Sequence, residues 1–157
     1  MIIRALAPGE EHFLARMQYH ALFTPPGADP FPRDIIEEPG IKKYYDNWGR
    51  LGDLALVIDE DWELVGAIWC RLFTQDNQGY GFVDENTPEL SMAILPAYRG
   101  RGLGTQLLER FLDDLAASGC RGVSLSVDSD NPVKDLYERM GFGVVSAEGN
   151  PTMLKRF

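Results

Sequence analysis

Only two of the 157 residues are cysteine and only two are histidine. Cys70 and Cys120 stand far apart, in no CxxC or other metal-ligand spacing, and read as reduced, buried thiols of a cytoplasmic protein. His12 and His20 fall in one stretch of helical periodicity with no HExxH and no cysteine partner. Neither a bound metal nor a histidine-based triad is therefore expected. Basic residues are also few: 15 Lys and Arg against 24 Asp and Glu leave a net charge of −9. That balance weighs against a nucleic-acid partner, because phosphate-backbone binding is mainly cationic electrostatics. Long apolar runs are missing, since Leu54 to Ile58 and Val65 to Cys70 fall well short of the ~18 residues of a membrane span. The opening Met1-Ile2-Ile3-Arg4 has no basic segment followed by an apolar one, so no signal peptide is expected. What remains, 45% hydrophobic and 25% charged, is the composition of a folded globular chain rather than a disordered one. The length predicts a single domain over 1–157.

The apolar patterning alternates between strand and helix. Ile2 to Leu6 reads as a short strand, and Phe13, Leu14, Met17 and Leu22 recur at helical spacing. The proline-rich segment from Thr24 to Pro32 excludes regular structure. Arg33 to Trp48 is again helical, interrupted near Pro39-Gly40. Two strands, Leu54 to Ile58 and Leu64 to Phe73, are separated by an acidic turn at Asp59-Glu60-Asp61. After a polar loop, Glu89 to Leu95 is a further strand. Leu107, Leu108, Phe111, Leu112 and Leu115 form one stripe of a helix that Gly119 ends. Val123 to Val127 is a strand, and Asn131-Pro132 opens a helix as cap and first residue. Strands at Val144-Val145 and Thr152 to Arg156 follow. The fold class is mixed α/β, with antiparallel strands early and a strand–helix–strand crossover late. An exposed final strand would offer an edge for pairing across a homodimer.

The densest chemical signal is the turn Arg99-Gly100-Arg101-Gly102-Leu103-Gly104-Thr105, between a strand and a helix. Three glycines there expose successive backbone N–H groups at a positive helix terminus, a nest suited to phosphate oxygens. From Ala97 to Leu112 three arginines face one glutamate, a local +2 within an acidic chain. A P-loop would require a lysine after Gly104, where Thr105 stands. A dinucleotide fingerprint would require its third glycine one place later, and in the first βα unit.

Arg99-Gly-Arg-Gly102-Leu-Gly104 resembles the [Q/R]xxGxG/A signature of the GCN5-related N-acetyltransferases, and Leu90 to Arg99 resembles that family's fourth strand and its lead-in. Asp130-Asn131-Pro-Val-Lys-Asp-Leu136-Tyr137-Glu-Arg-Met-Gly141-Phe142 resembles its second motif. Specific resemblance spans roughly residues 89–143. It implies a mostly antiparallel central sheet with splayed fourth and fifth strands, and acetyl-CoA as cosubstrate. Met92, Ala93 and Ile94 would pair with the pantetheine arm, the Ile94 amide stabilising charge on the thioester oxygen. Residues Arg99 to Thr105 would hold the pyrophosphate, and Asn131 would touch the cofactor arm or serve only as a helix cap. Tyr137 would protonate the departing thiolate, and Glu89 would act as base or simply attract the acceptor.

The acceptor would be an amine, whether of a small amine, an amino acid or a protein N-terminus. Aromatic residues (Phe23, Phe31, Tyr44, Tyr45, Trp48, Tyr80, Phe82) and acids (Asp29, Asp34, Glu37, Glu38, Asp84, Glu85) in the early segments and the polar loop suit a cationic one. A non-catalytic acyl-CoA-binding sensor module is the rival reading, and a Rossmann-type nucleotide binder a weaker one.

Overall fold

The computed structural model describes residues 1–157. Four helices and seven strands follow one another as β1 (Ile2–Ala5), α1 (His12–Ala21), α2 (Pro39–Lys42), β2 (Leu54–Glu60), β3 (Glu63–Arg71), β4 (Glu89–Ile94), α3 (Leu103–Ala117), β5 (Gly122–Ser126), α4 (Val133–Arg139), β6 (Gly143–Ser146) and β7 (Thr152–Arg156). No helix is long and apolar enough to cross a membrane. The strands form one sheet in the order β1-β2-β3-β4-β5-β7-β6. Every neighbouring pair is antiparallel except β4 and β5, which α3 joins as a parallel crossover.

The helical periodicities become buried faces. Phe13, Leu14 and Met17 of α1 and the leucine–phenylalanine stripe of α3 join the inner residues of β2, β3 and β5 in a single core. Phe111 and Leu107 are fully enclosed. α3 lies against β2, β3 and β4, and α1 against β3 and β4, so both helices converge on the strand that carries the first motif.

Three details differ from the sequence expectation. The β2–β3 turn is not at Asp59 to Asp61 but at Asp61-Trp62, both with positive φ (52° and 70°), the conformation that matches the twist of a two-residue hairpin. The Asp59 carboxylate accepts the Trp62 N–H at 3.1 Å, stabilising a turn that tryptophan disfavours. The stretch from Arg33 is interrupted at Pro39 as expected, but its two pieces are a 3₁₀ turn (Arg33–Glu37) and the single turn of α2 that Pro39 starts, and helix ends at Lys42 rather than Trp48. Finally, β7 lies inside the sheet, between β5 and β6. The expected exposed final strand, and the dimer built on it, lose their basis, because the free edges belong to β1 and β6.

One buried ion pair ties the irregular segment after α2 to the sheet. The Arg71 guanidinium donates from Nε and Nη2 to the Asp53 carboxylate at 2.9 and 2.7 Å. Its Nη1 donates to the carbonyls of Lys43 and Asp46 at 2.9 and 2.6 Å. Trp69 adds a bond from Nε1 to the Tyr44 carbonyl at 3.1 Å. With both charges desolvated but fully bonded, the pair pins residues 43–47 beside the start of β4.

Candidate active site

The parallel pairing of β4 with β5 is confined to one register pair, Glu89 with Ser124. Ser124 N–H reaches the Pro88 carbonyl at 3.0 Å, and beyond that point the strands part. Backbone groups along an antiparallel strand alternate between its two neighbours. Leu95 donates to Val65 of the β3 side at 2.8 Å, so the amide of Ala93 also points toward β3. That of Leu90 bonds the Ser124 carbonyl in the single bridge, and those of Met92 and Ile94 point into the gap. Unpaired strand amides in a cleft are donors awaiting an extended ligand. Ala93 thus offers the gap a side chain and no amide.

At the far end of β4 the glycine turn is built as the sequence predicted. Gly100 and Gly102 both have φ of 76°, and Gly102 caps α3. A Cβ at either position would meet nothing within 4 Å, so glycine is required there for its left-handed conformation rather than for space. The first bonded amide of the helix is that of Gln106, to Gly102 at 3.2 Å. The amides from Gly100 to Thr105 are left as donors at a positive helix end. The arginines contribute less than their charge implied. Arg101 is bonded to Glu60 at 2.8 and 3.2 Å, and Arg99 donates to the carbonyls of Ile94 and His20 at 3.0 and 3.3 Å.

A cavity of about 990 Å³ runs between these elements. Its walls include Met92, Ala93, Ile94, Arg99, Gly100, Gly102, Leu103, Gly104, Asn131, Tyr137 and Glu89, whereas Arg101 and Thr105 lie outside them. Asn131 caps α4 by accepting the Val133 N–H at 3.1 Å. Tyr137 is buried against Phe142, with ring centroids 5.6 Å apart. Burial pushes its phenol well above the usual range, and its hydroxyl has no bond to the protein, so it stands as a neutral O–H donor at the cavity.

Glu89, at the start of β4, is 3% exposed. Its Oε2 accepts from the Tyr44 hydroxyl, which itself accepts the Tyr80 N–H at 2.6 Å. Its Oε1 has no partner. Burial raises this carboxyl from 4.5 to about 7, against the opposing pull of the Tyr44 hydroxyl, the nearby Gly81 amide and the Lys43 charge. Tyr44 is the component that sequence reasoning missed, since it was read only as an aromatic lining residue. The turn around it depends on Gly79 and Gly81. A Cβ at Gly79 would crowd the Glu89 carboxylate and the Tyr44 hydroxyl, and one at Gly81 would lie 2.5 Å from the Leu125 carbonyl carbon. Ser124 Oγ holds that turn by donating to the Gly81 carbonyl at 2.7 Å. The Gly79-Tyr80-Gly81 triplet was the available signal.

On the acceptor side the expected lining divides. Phe23, Phe31, Tyr44 and Tyr80 do face the cavity. Tyr45, Trp48 and Phe82 do not, and none of the acids Asp29, Asp34, Glu37, Glu38, Asp84 and Glu85 does. The exposed acids stay in water, where their charges are solvated, and the wall itself is mostly apolar, with Gln18, His20 and Thr24 among its polar members.

Residues 17–142 match the model of the acetyltransferase (GNAT) family. The chain belongs to that family. It is 38% identical over 84 residues to the mycothiol acetyltransferase of Corynebacterium glutamicum, a match covering 48% of this chain and 29% of that protein. It is 35% identical over 82 residues to the ribosomal protein bS18 alanine N-acetyltransferase of Haemophilus influenzae, covering 48% and 56%. The chain thus spans only part of the length of these curated relatives. Among solved structures, yncA of Salmonella typhimurium, a putative acetyltransferase with its cofactor acetyl-CoA, superimposes with a TM-score of 0.70 at 22% identity, covering 99% of this chain and 93% of that one. At that identity the likeness speaks for the fold.

Proposed function

We propose that the protein is an acetyl-CoA-dependent N-acetyltransferase in which Glu89 accepts the proton of the amine and Tyr137 supplies the proton to the leaving sulfur. The observation that carries this reading is the cleft itself: a run of unbonded amides at residues 100–105, then β4 amides at Met92 and Ile94 aimed into a gap, then a buried carboxyl titrating near neutrality. The nest fits a pyrophosphate, and the gap fits an extended arm that hydrogen-bonds like a strand. Bound acetyl-CoA supplies an activated acetyl carbonyl and a thiol leaving group.

The chain's groups match the proton traffic. An alkylamine with a pKa of ~10.4 arrives mainly as ammonium and must lose a proton before its lone pair can form the new C–N bond. Glu89, ionised above about 7, takes that proton within a water-poor wall. The amide of Ile94, unpaired on the gap side of β4, would donate to the carbonyl oxygen as charge develops there. As the C–S bond breaks, Tyr137, whose phenol is held neutral by burial, would give its proton to the sulfur and recover one from the second proton that the nitrogen sheds as the amide forms. Asn131 lines the same cavity, and its side-chain oxygen is engaged in capping α4.

Thermal unfolding with acetyl-CoA, CoA and NAD as separate ligands tests the cofactor assignment. At ~100 times Kd a ligand adds about 2.7 kcal/mol, a rise of several degrees at this length. A rise with acetyl-CoA and CoA but not with NAD is expected. A rise with NAD alone would overturn it.

A further inference from the structure

We infer that the acceptor is a primary monoamine carried on an aromatic or apolar body, without a neighbouring carboxylate and without a second ammonium group. This inference rests on the acetyl-transfer reading for its chemistry and on the cavity wall for its selectivity.

The wall beyond Glu89 is made by Phe23, Phe31, Ile35, Ile41, Tyr44 and Tyr80. Tyr44 and Tyr80 present nearly parallel rings, 6.4 Å between centroids and 6° between planes. Tyr80 is 68% exposed and Phe31 40%, which makes them two of the few large apolar side chains left open to solvent, and both face this cavity. Apolar surface gathered at a concave site is worth covering with an apolar ligand.

The charges say what else the ligand carries. Glu89, Asp128, Arg99 and His20 are the carboxyl, guanidinium and imidazole groups that line the cavity, and burial together with the Arg33, Arg99 and Arg16 charges holds the imidazole below its usual range. Arg99 is occupied by two backbone carbonyls at the nest end, and Asp128 accepts the Asp130 N–H at 2.9 Å. Lys43 turns away to Gln78 and Asn77, and Arg33 stacks 4.3 Å over the Tyr19 ring, both outside the lining. The lining therefore holds one ionisable carboxyl with an unpartnered buried oxygen, the neutral amide oxygen of Gln18, likewise unpartnered, and no lysine or free guanidinium. One amine satisfies that carboxyl. A carboxylate beside that amine would be desolvated with nothing to pair with, and a second ammonium would rest on the apolar wall without a carboxylate of its own.

Calorimetric titration of the full chain with phenethylamine, phenylalanine and spermidine, each with and without CoA, tests this directly, alongside thiol release from acetyl-CoA with the same three amines. Phenethylamine should bind at least about tenfold more tightly than either competitor, because only it avoids burying an unpaired charge. It should also give the highest kcat/KM. Tyr80→Ala should weaken phenethylamine at least about threefold through lost apolar contact while leaving the acetyl-CoA thermal shift unchanged. Phenylalanine or spermidine binding as well as phenethylamine overturns the inference, as does the absence of phenethylamine binding in a protein that acetyl-CoA stabilises. Failure of acetyl-CoA to bind removes the acetyl-transfer reading instead, and the amine affinities measured without it still rank the wall's preference.

Discussion

Replacing Glu89 by glutamine separates two consequences of one buried carboxyl. The group moves from 4.5 to about 7 because burial disfavours its charge. Between those values the folded protein holds a proton that the unfolded chain has already lost. Stability attributable to this group is therefore full below pH 4.5 and declines as pH rises through about 7, the reverse of a salt-bridged carboxylate. At about 1.4 kcal/mol per pH unit, the cost of ionising it in the fold approaches about 3 kcal/mol. For a chain of this length that is a difference of roughly 6–12 °C in Tm. Glutamine keeps an oxygen for the Tyr44 hydroxyl to donate to, so the variant should fold and lack this titration. Melts from pH 5 to pH 8 should show the wild type losing about 3 kcal/mol relative to Glu89→Gln. In turnover, kcat/KM of the wild type should climb through about pH 7 as the base ionises. The variant should lose that limb and fall by about 10²–10³-fold, the usual worth of a positioned base. Parallel stability curves for the two proteins would refute the titration. A variant that keeps both the limb and most of its rate would refute the base.

Three further outcomes follow from the same geometry. Gly102→Ala should cost about 1–2 kcal/mol, since alanine must adopt a left-handed conformation, and should weaken acetyl-CoA in the thermal-shift assay. Gly9→Ala, at φ 90° with equally empty surroundings, supplies the conformational cost without the ligand effect. Tyr137→Phe removes a hydroxyl that bonds nothing in the protein, so Tm should hold within about 2 °C while kcat falls about 10²-fold, and an unchanged kcat would remove the acid role. Asp53→Asn leaves Arg71 buried without its carboxylate and should destabilise by about 3–5 kcal/mol, measurable by urea unfolding. Because that pair pins residues 43–47, it should also lower kcat/KM, and a stable variant with normal turnover would show that the pin does not hold Tyr44.

How far the molecule could be read from its sequence depends on whether each feature is local or is made by register. Helix stripes such as Leu107 to Leu115 and the left-handed glycines at 100 and 102 are decided by spacing and by backbone conformation over a few residues, and they appear where the pattern put them. The placement of β7 between β5 and β6 is not local, because a short strand carries no mark of which neighbour it will choose. Local composition also misled where long side chains reach away. The net positive charge of the glycine turn is spent on Glu60 and on backbone carbonyls, so the amides of residues 100–105, rather than the arginines, are the open donors.

The Glu89–Tyr44 contact spans 45 positions, and Arg71 and Trp69, on β3, support it by holding the chain after α2 against the sheet. Nothing in the neighbourhood of Tyr44 in the sequence marks it as the partner of a carboxyl. The same distance accounts for the misplaced acids of the acceptor side. Acidic residues cluster in the early helices and the polar loop, yet the segments turn their aromatic faces inward and leave those acids in water. A carboxyl becomes chemically useful here by being the exception: Glu89 is carried inside at the start of a strand, next to the core residue Leu90, and the desolvation that brings its titration near neutrality is the same burial that leaves its second oxygen without a partner.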